Sequence, residues 1–147
     1  MNLYRPDSVT PSPDPIGEIL RSSKTIAVVG LSSNPLRPSH GVAAYLQSVG
    51  YRIIPVNPNE SEVLGIRAFA RIEDIPEPVD IVDVFRRSEE VLPVADSAIV
   101  IRAKVLWLQQ DITNAAAAER ARAAGLTVVE DACIFVEHKR RKLQFGR

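Results

Sequence analysis

The stretch Thr25-Ile-Ala-Val-Val-Gly30-Leu-Ser-Ser-Asn-Pro-Leu-Arg37-Pro-Ser-His40-Gly41 decides the fold. Its apolar run reads as a strand buried on both faces. The run stops at Gly30, crosses a polar loop and enters a new helix. Strand, glycine, polar loop and helix N-terminus is the order in which α/β folds build an anion site. Free backbone N–H groups and the positive end of the helix dipole then face one spot. A phosphate-bearing ligand is the first expectation.

Downstream, residues 41–49 predict a helix with Val42, Tyr45, Leu46 and Val49 at helical spacing, Ser39 as N-cap and Gly50 at its end. Residues 52–56 form the second strand, and Pro55 within it points to a strand end or a distorted edge. A loop containing Leu64-Gly65 follows, then a very short third strand at 68–70 and a helical turn at 72–75. Strand 80–85 leads to a helix capped by Ser88, with Glu89 and Glu90 in its first turn where the dipole favours acids. Strand 104–108, an alanine-rich helix at 113–124 and strand 126–129 complete the alternation. Upstream, 16–23 reads as a short helix with Ile16, Ile19 and Leu20 on one face.

Near-continuous apolar strands alternating with helices predict an α/β, Rossmann-like, doubly wound fold. Its mostly parallel sheet has five to six strands with helices on both faces. The expected organisation is an extended proline-rich arm over 1–15, one domain over 16–142 and a flexible tail over 143–147, with the segment from Asp131 to His138 irregular.

Composition narrows the function. The 147 residues suffice for one domain with a proper core. With 18 basic and 18 acidic side chains, no global field draws in nucleic acid or a membrane. Cys133 is the only cysteine, so neither an internal disulfide nor a cysteine-based metal site is expected. No apolar run is long enough to span a bilayer, and no secretory leader is read. The cytoplasm is the expected location.

Ligands in such sheets bind beyond the carboxyl ends of the strands, where strand order reverses. Those ends carry Gly30, Leu31, Ser32, Ser33 and Arg37; Asn57 and Pro58; Arg86 and Arg87; and Gln109 beside Trp107. With strand order 3-2-1-4-5, hydroxyl, amide and guanidinium groups converge on one crevice. A nicotinamide site is disfavoured. Gly-x-Gly-x-x-Gly is absent, and the second strand ends on Asn57-Pro58 where a ribose-binding acid is expected, with Glu60 only beyond a proline turn.

Taken in order, these motifs resemble the small stand-alone CoA-binding proteins, similar to the CoA-binding domain of the succinyl-CoA synthetase α subunit. They are Gly30-Leu-Ser-Ser with Arg37-Pro-Ser-His40-Gly41, Tyr51-Arg-Ile-Ile-Pro-Val-Asn-Pro58, Asp80-Ile-Val-Asp-Val-Phe-Arg86, Lys104-Val-Leu-Trp-Leu-Gln109, and Asp131-x-Cys133 with Glu137-His138. The resemblance implies that 30–33 and the helix start Arg37, Ser39 and His40 hold the CoA pyrophosphate. It implies Asn57 and Pro58 beside the adenosine, Val84, Phe85 and Arg86 near adenine and ribose, and Trp107 and Gln109 along the pantetheine arm. This chain departs from the pattern at Asp111, where a glycine is common, and at Ala132, where arginine is common.

Blander roles stand beside these. Arg86 and Arg87 either clamp phosphate or pair with Glu89 and Glu90. His40 either meets a phosphate oxygen or packs on the preceding loop. Trp107 either stacks on ligand or fills core, and a lone strand tryptophan is more often core. Cys133 with His138 is read as structural rather than as a nucleophile and base. Asp80 and Asp83 are not read as an acid–base pair. The basic run at 139–142 is read as a solvated tail.

The reading is therefore a binder of coenzyme A or an acyl-CoA, with no catalytic residue, no metal and no nucleic-acid or membrane partner; a protein partner stays open. The alternatives are an NAD(P)-dependent oxidoreductase and an acyl-CoA-sensing regulatory module.

Overall fold

The computed structural model describes residues 13–145. The expected proline-rich arm falls almost wholly on residues outside that range.

Helix α1 (Pro15–Ser22) precedes strand β1 (Thr25–Val29). Then come α2 (Pro38–Ser48), β2 (Arg52–Val56) and a small hairpin of β3 (Glu62–Val63) and β4 (Ile66–Arg67). A 3₁₀ turn (Ile72–Asp74) leads to β5 (Ile81–Val84), a second 3₁₀ turn (Ser88–Glu90) and α3 (Val91–Val100). Strand β6 (Val105–Leu108), α4 (Ala115–Ala123), β7 (Thr127–Val129), α5 (Ile134–Arg140) and α6 (Lys142–Phe145) complete the described residues.

The five-stranded sheet runs β2-β1-β5-β6-β7, every pair parallel. The expected third strand shrinks to one parallel bridge, Phe69 to Val56, on the outer side of β2. Counting that stub, the order is the doubly wound 3-2-1-4-5-6. Pro55 fits because its missing N–H falls on the outer edge of β2, where only the stub pairs: its carbonyl accepts from the Phe69 N–H at 2.9 Å.

Alternation along the buried strands feeds two cores. Ile26, Val28, Ile53, Ile81 and Trp107 face α1, α2 and α5 through Leu20, Leu46 and Ile134. Ala27, Val29, Val82, Leu106 and Leu108 face α3 and α4 through Ala95, Ala98, Ala117 and Ala121. Each fully buried leucine or isoleucine contributes about 1.5–3 kcal/mol relative to exposure. The alanines keep α3 and α4 thin enough to sit close to the sheet and to each other. Asn114 caps α4 by accepting from the Ala117 N–H at 3.0 Å, a contact worth about 1 kcal/mol.

Asp83 interrupts this apolar pattern. It is fully buried, registers with Val28 and Trp107 on the flanking strands, and among the described residues has no hydrogen-bond partner at either carboxyl oxygen. Burial pushes its pKa well above the ordinary 3.8, because the charged form loses its hydration there.

Four local expectations are corrected. Ser39 does not cap α2: Arg37 takes the cap position with Pro38 after it, and the Ser39 hydroxyl accepts from the Ser32 N–H at 3.1 Å. Proline has no N–H to lose in the first turn, so it starts the helix without a side-chain cap. Ser88 caps no helix either; its hydroxyl accepts from the Thr113 N–H at 3.1 Å. The loop at Leu64-Gly65 is the turn of a hairpin, both residues at positive φ (54° and 75°). The segment from Asp131 to His138 is not irregular throughout, because α5 begins at Ile134 and buries Ile134 and His138 one turn apart.

Candidate functional site at the carboxyl ends of the strands

Gly30 closes β1 with φ +87°, and a Cβ there would lie 2.4 Å from the Phe85 carbonyl oxygen. Only glycine allows that approach. The Gly30 N–H donates to the Val56 carbonyl at 2.8 Å, and the Phe85 N–H donates to Val29 at 2.9 Å. The end of β1 is thereby tied to both β2 and β5. This is the switch point, because the chain leaves β1 for one side of the sheet and reaches β5 on the other.

The loop after Gly30 is a set of short polar turns. Leu31 is buried in the core, and its carbonyl accepts from Asn57 Nδ2 at 3.1 Å. The Asn34 N–H donates to Ser32 Oγ, and Asn34 Oδ1 accepts from the Leu36 N–H, both at 3.0 Å. The Ser33 N–H donates to Glu60 Oε2 at 2.7 Å.

Across the loop lies an open cleft of about 790 Å³. Of the residues expected from sequence, Gly30, Ser32, Arg37, Ser39, Asn57, Phe85 and Arg86 line it. Arg37 is exposed and Arg86 half-buried. Among the described residues neither guanidinium has an ion pair or side-chain hydrogen bond, whereas Arg87 reaches Glu90 at 3.0 Å and Glu89 at 3.9 Å. Two uncommitted cations thus line the cleft beside Gly30. Arg86 also borders a recess of about 220 Å³ whose apolar wall is Val29, Val56, Ile72, Pro93 and Val94, with Arg71, Glu73 and Ser97 at its polar part.

The other expected residues lie elsewhere. Val84 and Trp107 are fully buried, and the Trp107 indole N–H donates to the Ala132 carbonyl at 2.8 Å. Gln109 is 5% exposed and accepts from the Ile134 N–H at 3.2 Å, anchoring the start of α5. Ser33 and Pro58 are exposed beside the cleft, and His40 is half-buried in the first turn of α2. Cys133 and His138 do not line the cleft. Cys133 borders a separate pocket of about 330 Å³ with Asp111 and Asp131, while His138 is fully buried with Nδ1 2.7 Å from the Tyr45 hydroxyl.

Some lining residues are not among those expected at the site from sequence: Asn59 and Ile112, with Glu60 read only as an acid beyond a proline turn and Ser88 only as a helix cap. The Asn57-Pro58 turn brings Glu60 back: the Glu60 N–H donates to the Asn57 carbonyl at 3.2 Å. Asp111, at φ 69°, lines the far wall, its N–H held by Asp131 Oδ1 at 2.6 Å. The lining combines the Arg37 and Arg86 guanidiniums and the Ser32, Ser39 and Ser88 hydroxyls with the acids Glu60, Glu89 and Asp111, and the two guanidiniums suit a ligand with localised negative charge.

Comparison with known proteins identifies the family. The chain is 48% identical over 128 residues to YneT, an uncharacterized protein of Bacillus subtilis (strain 168), covering 87% of this chain and 95% of that one. A hypothetical protein from Pyrococcus horikoshii OT3 superposes with a TM-score of 0.84 at 38% identity, over 95% of this chain and 98% of the other. The dinucleotide-forming acetyl-coenzyme A synthetase 1 of Ca. Korarchaeum cryptofilum, in its apo form, matches 76% of this chain with 26% of its own, at a TM-score of 0.67 and 27% identity. The sequence model of the CoA binding domain matches residues 24–139. In agreement with the resemblance carried by its motifs, the chain belongs to the CoA binding domain family.

Proposed function

We propose that this protein binds coenzyme A or an acyl-CoA in the cleft at the carboxyl ends of β1, β2 and β5, and performs no chemistry of its own there. The observation that carries the location is the pair of guanidiniums, Arg37 and Arg86, that line the cleft beside Gly30 and are unpaired among the described residues. Family membership supports CoA as the ligand. In this reading the pyrophosphate lies along the loop between Ser32 and Arg37. The adenine enters the recess beside Arg86, and the pantetheine arm leaves past Ser88 and Asp111. No helix among the described residues is long and apolar enough to cross a membrane, and a cytoplasmic location fits the single cysteine.

The test is a stability panel with CoA, acetyl-CoA, NAD, NADP and ATP. CoA or its thioester should stabilise the fold by about 2.7 kcal/mol at a hundred times its dissociation constant, and the two nicotinamide nucleotides should add nothing. Raising the salt concentration should weaken binding, since exposed charges more than about 10 Å apart are largely screened at 0.1 M. Stabilisation by NAD alone would hand the site to an oxidoreductase. Calorimetry showing no heat with CoA or its thioesters would overturn the proposal.

A further inference from the structure

The glycine loop already carries an anion of its own. The Ser33 N–H donates to Glu60 Oε2 at 2.7 Å, and Glu60 lines the cleft with Gly30, Arg37 and Arg86. The neighbouring loop donors end on neutral oxygens: the Ser32 N–H on Ser39 Oγ and the Asn34 N–H on Ser32 Oγ. Glu60 is delivered by the turn that follows β2, itself pinned to the loop through Asn57 Nδ2 and the Leu31 carbonyl at 3.1 Å. A carboxylate oxygen and a phosphate oxygen are equivalent acceptors for such an N–H. The carboxylate also shares the cleft with Arg37 and Arg86 yet forms an ion pair with neither.

We infer that Glu60 is the resident anion of the phosphate loop, displaced when a phosphorylated ligand takes over the Ser33 N–H. The inference rests on the CoA reading of this cleft and adds the residue that sets how much charge a ligand must carry. A ligand with one weakly charged group meets the carboxylate's repulsion and gains one N–H in return. A pyrophosphate replaces the carboxylate at Ser33 while its remaining oxygens reach Arg37 and Arg86. Glu60 thus raises the threshold for every anion that uses the loop, and only multiply charged ligands clear it.

Glu60→Gln keeps an amide oxygen for the Ser33 N–H and removes the charge. A thermal unfolding curve first establishes that the variant is folded. Calorimetry on both proteins then uses CoA, inorganic pyrophosphate and pantetheine. Expected is about tenfold tighter binding of CoA and of pyrophosphate, the order of one charge-assisted contact, with pantetheine unchanged. Unchanged or weaker CoA binding by the variant, with the wild type binding normally, overturns the inference and leaves the CoA reading standing. If neither protein binds CoA, that reading falls and the pyrophosphate arm alone decides. A tenfold gain then supports Glu60 as the resident anion; no gain, or no pyrophosphate binding by either protein, overturns it.

Discussion

Replacing Arg37 and Arg86 together with alanine should lower the affinity for CoA about a hundredfold and leave the affinity for pantetheine unchanged. A hydrogen bond to a charged group contributes about 1.5–3 kcal/mol when its partner is held in place. Arg37 is exposed and Arg86 half-buried, so water and salt weaken the first more than the second. Arg86→Ala alone should therefore cost more than Arg37→Ala alone, and the gap should widen with salt. Neither side chain holds another part of the described fold together through an ion pair, so the unfolding temperature should stay put. That separates lost ligand contacts from lost structure. Calorimetry of both ligands at low and high salt is the measurement. Equal losses for CoA and pantetheine would remove the phosphate role.

The second large effect concerns stability. Asp83 lies in the middle of the sheet with no partner for either oxygen among the described residues, and burial pushes its pKa well above 3.8. Above that value the unfolded chain gives up the proton while the folded chain keeps it. The folded state then binds more protons than the unfolded one, so stability falls as pH rises. The slope is about 1.4 kcal/mol per pH unit until the folded carboxyl itself ionises. Asp83→Asn has nothing to ionise. The variant should therefore gain on the wild type at that rate as pH is raised from about 5. Subtracting the two denaturation curves cancels the other titrating groups, including Asp80, which moves oppositely. Burial works to raise Asp80, but the Lys24 and Thr25 N–H groups and Lys104 outweigh it and hold its pKa below the ordinary value. Parallel curves for wild type and variant would show that Asp83 reaches water or a partner.

The switch point was legible because it rests on a local rule, whereas strand order is set by pairing between distant segments. An apolar run ending on glycine before a helix has few other uses, and Gly30 is forced by the Phe85 carbonyl behind it. Elements set by distant partners were harder to read. In α5, Ile134 and His138 are buried one turn apart, but Glu137, Lys139 and Arg140 between and after them disguise the buried face. The hairpin turn puts Leu64 at φ 54°, a conformation no rule assigns to leucine. Glu60 stands four residues beyond β2, and only the fold-back at Asn57 reveals that it returns to the loop. Trp107 shows the limit most plainly. Leu106, Trp107 and Leu108 are all fully buried, and a strand covered on both sides shows no polar alternation to say which residue faces which layer.

That burial has a practical side. Trp107 is the sole tryptophan, sealed beneath the helix layer and bonded to Ala132 just ahead of α5. Its fluorescence should be blue-shifted in the native protein and move to the red only when α5 peels off and the sheet opens. The cleft is lined without it, so emission should stay level while ligand is titrated in. The indole is a gauge of unfolding and is blind to occupancy, so a flat titration trace is what both an empty and a filled cleft would produce.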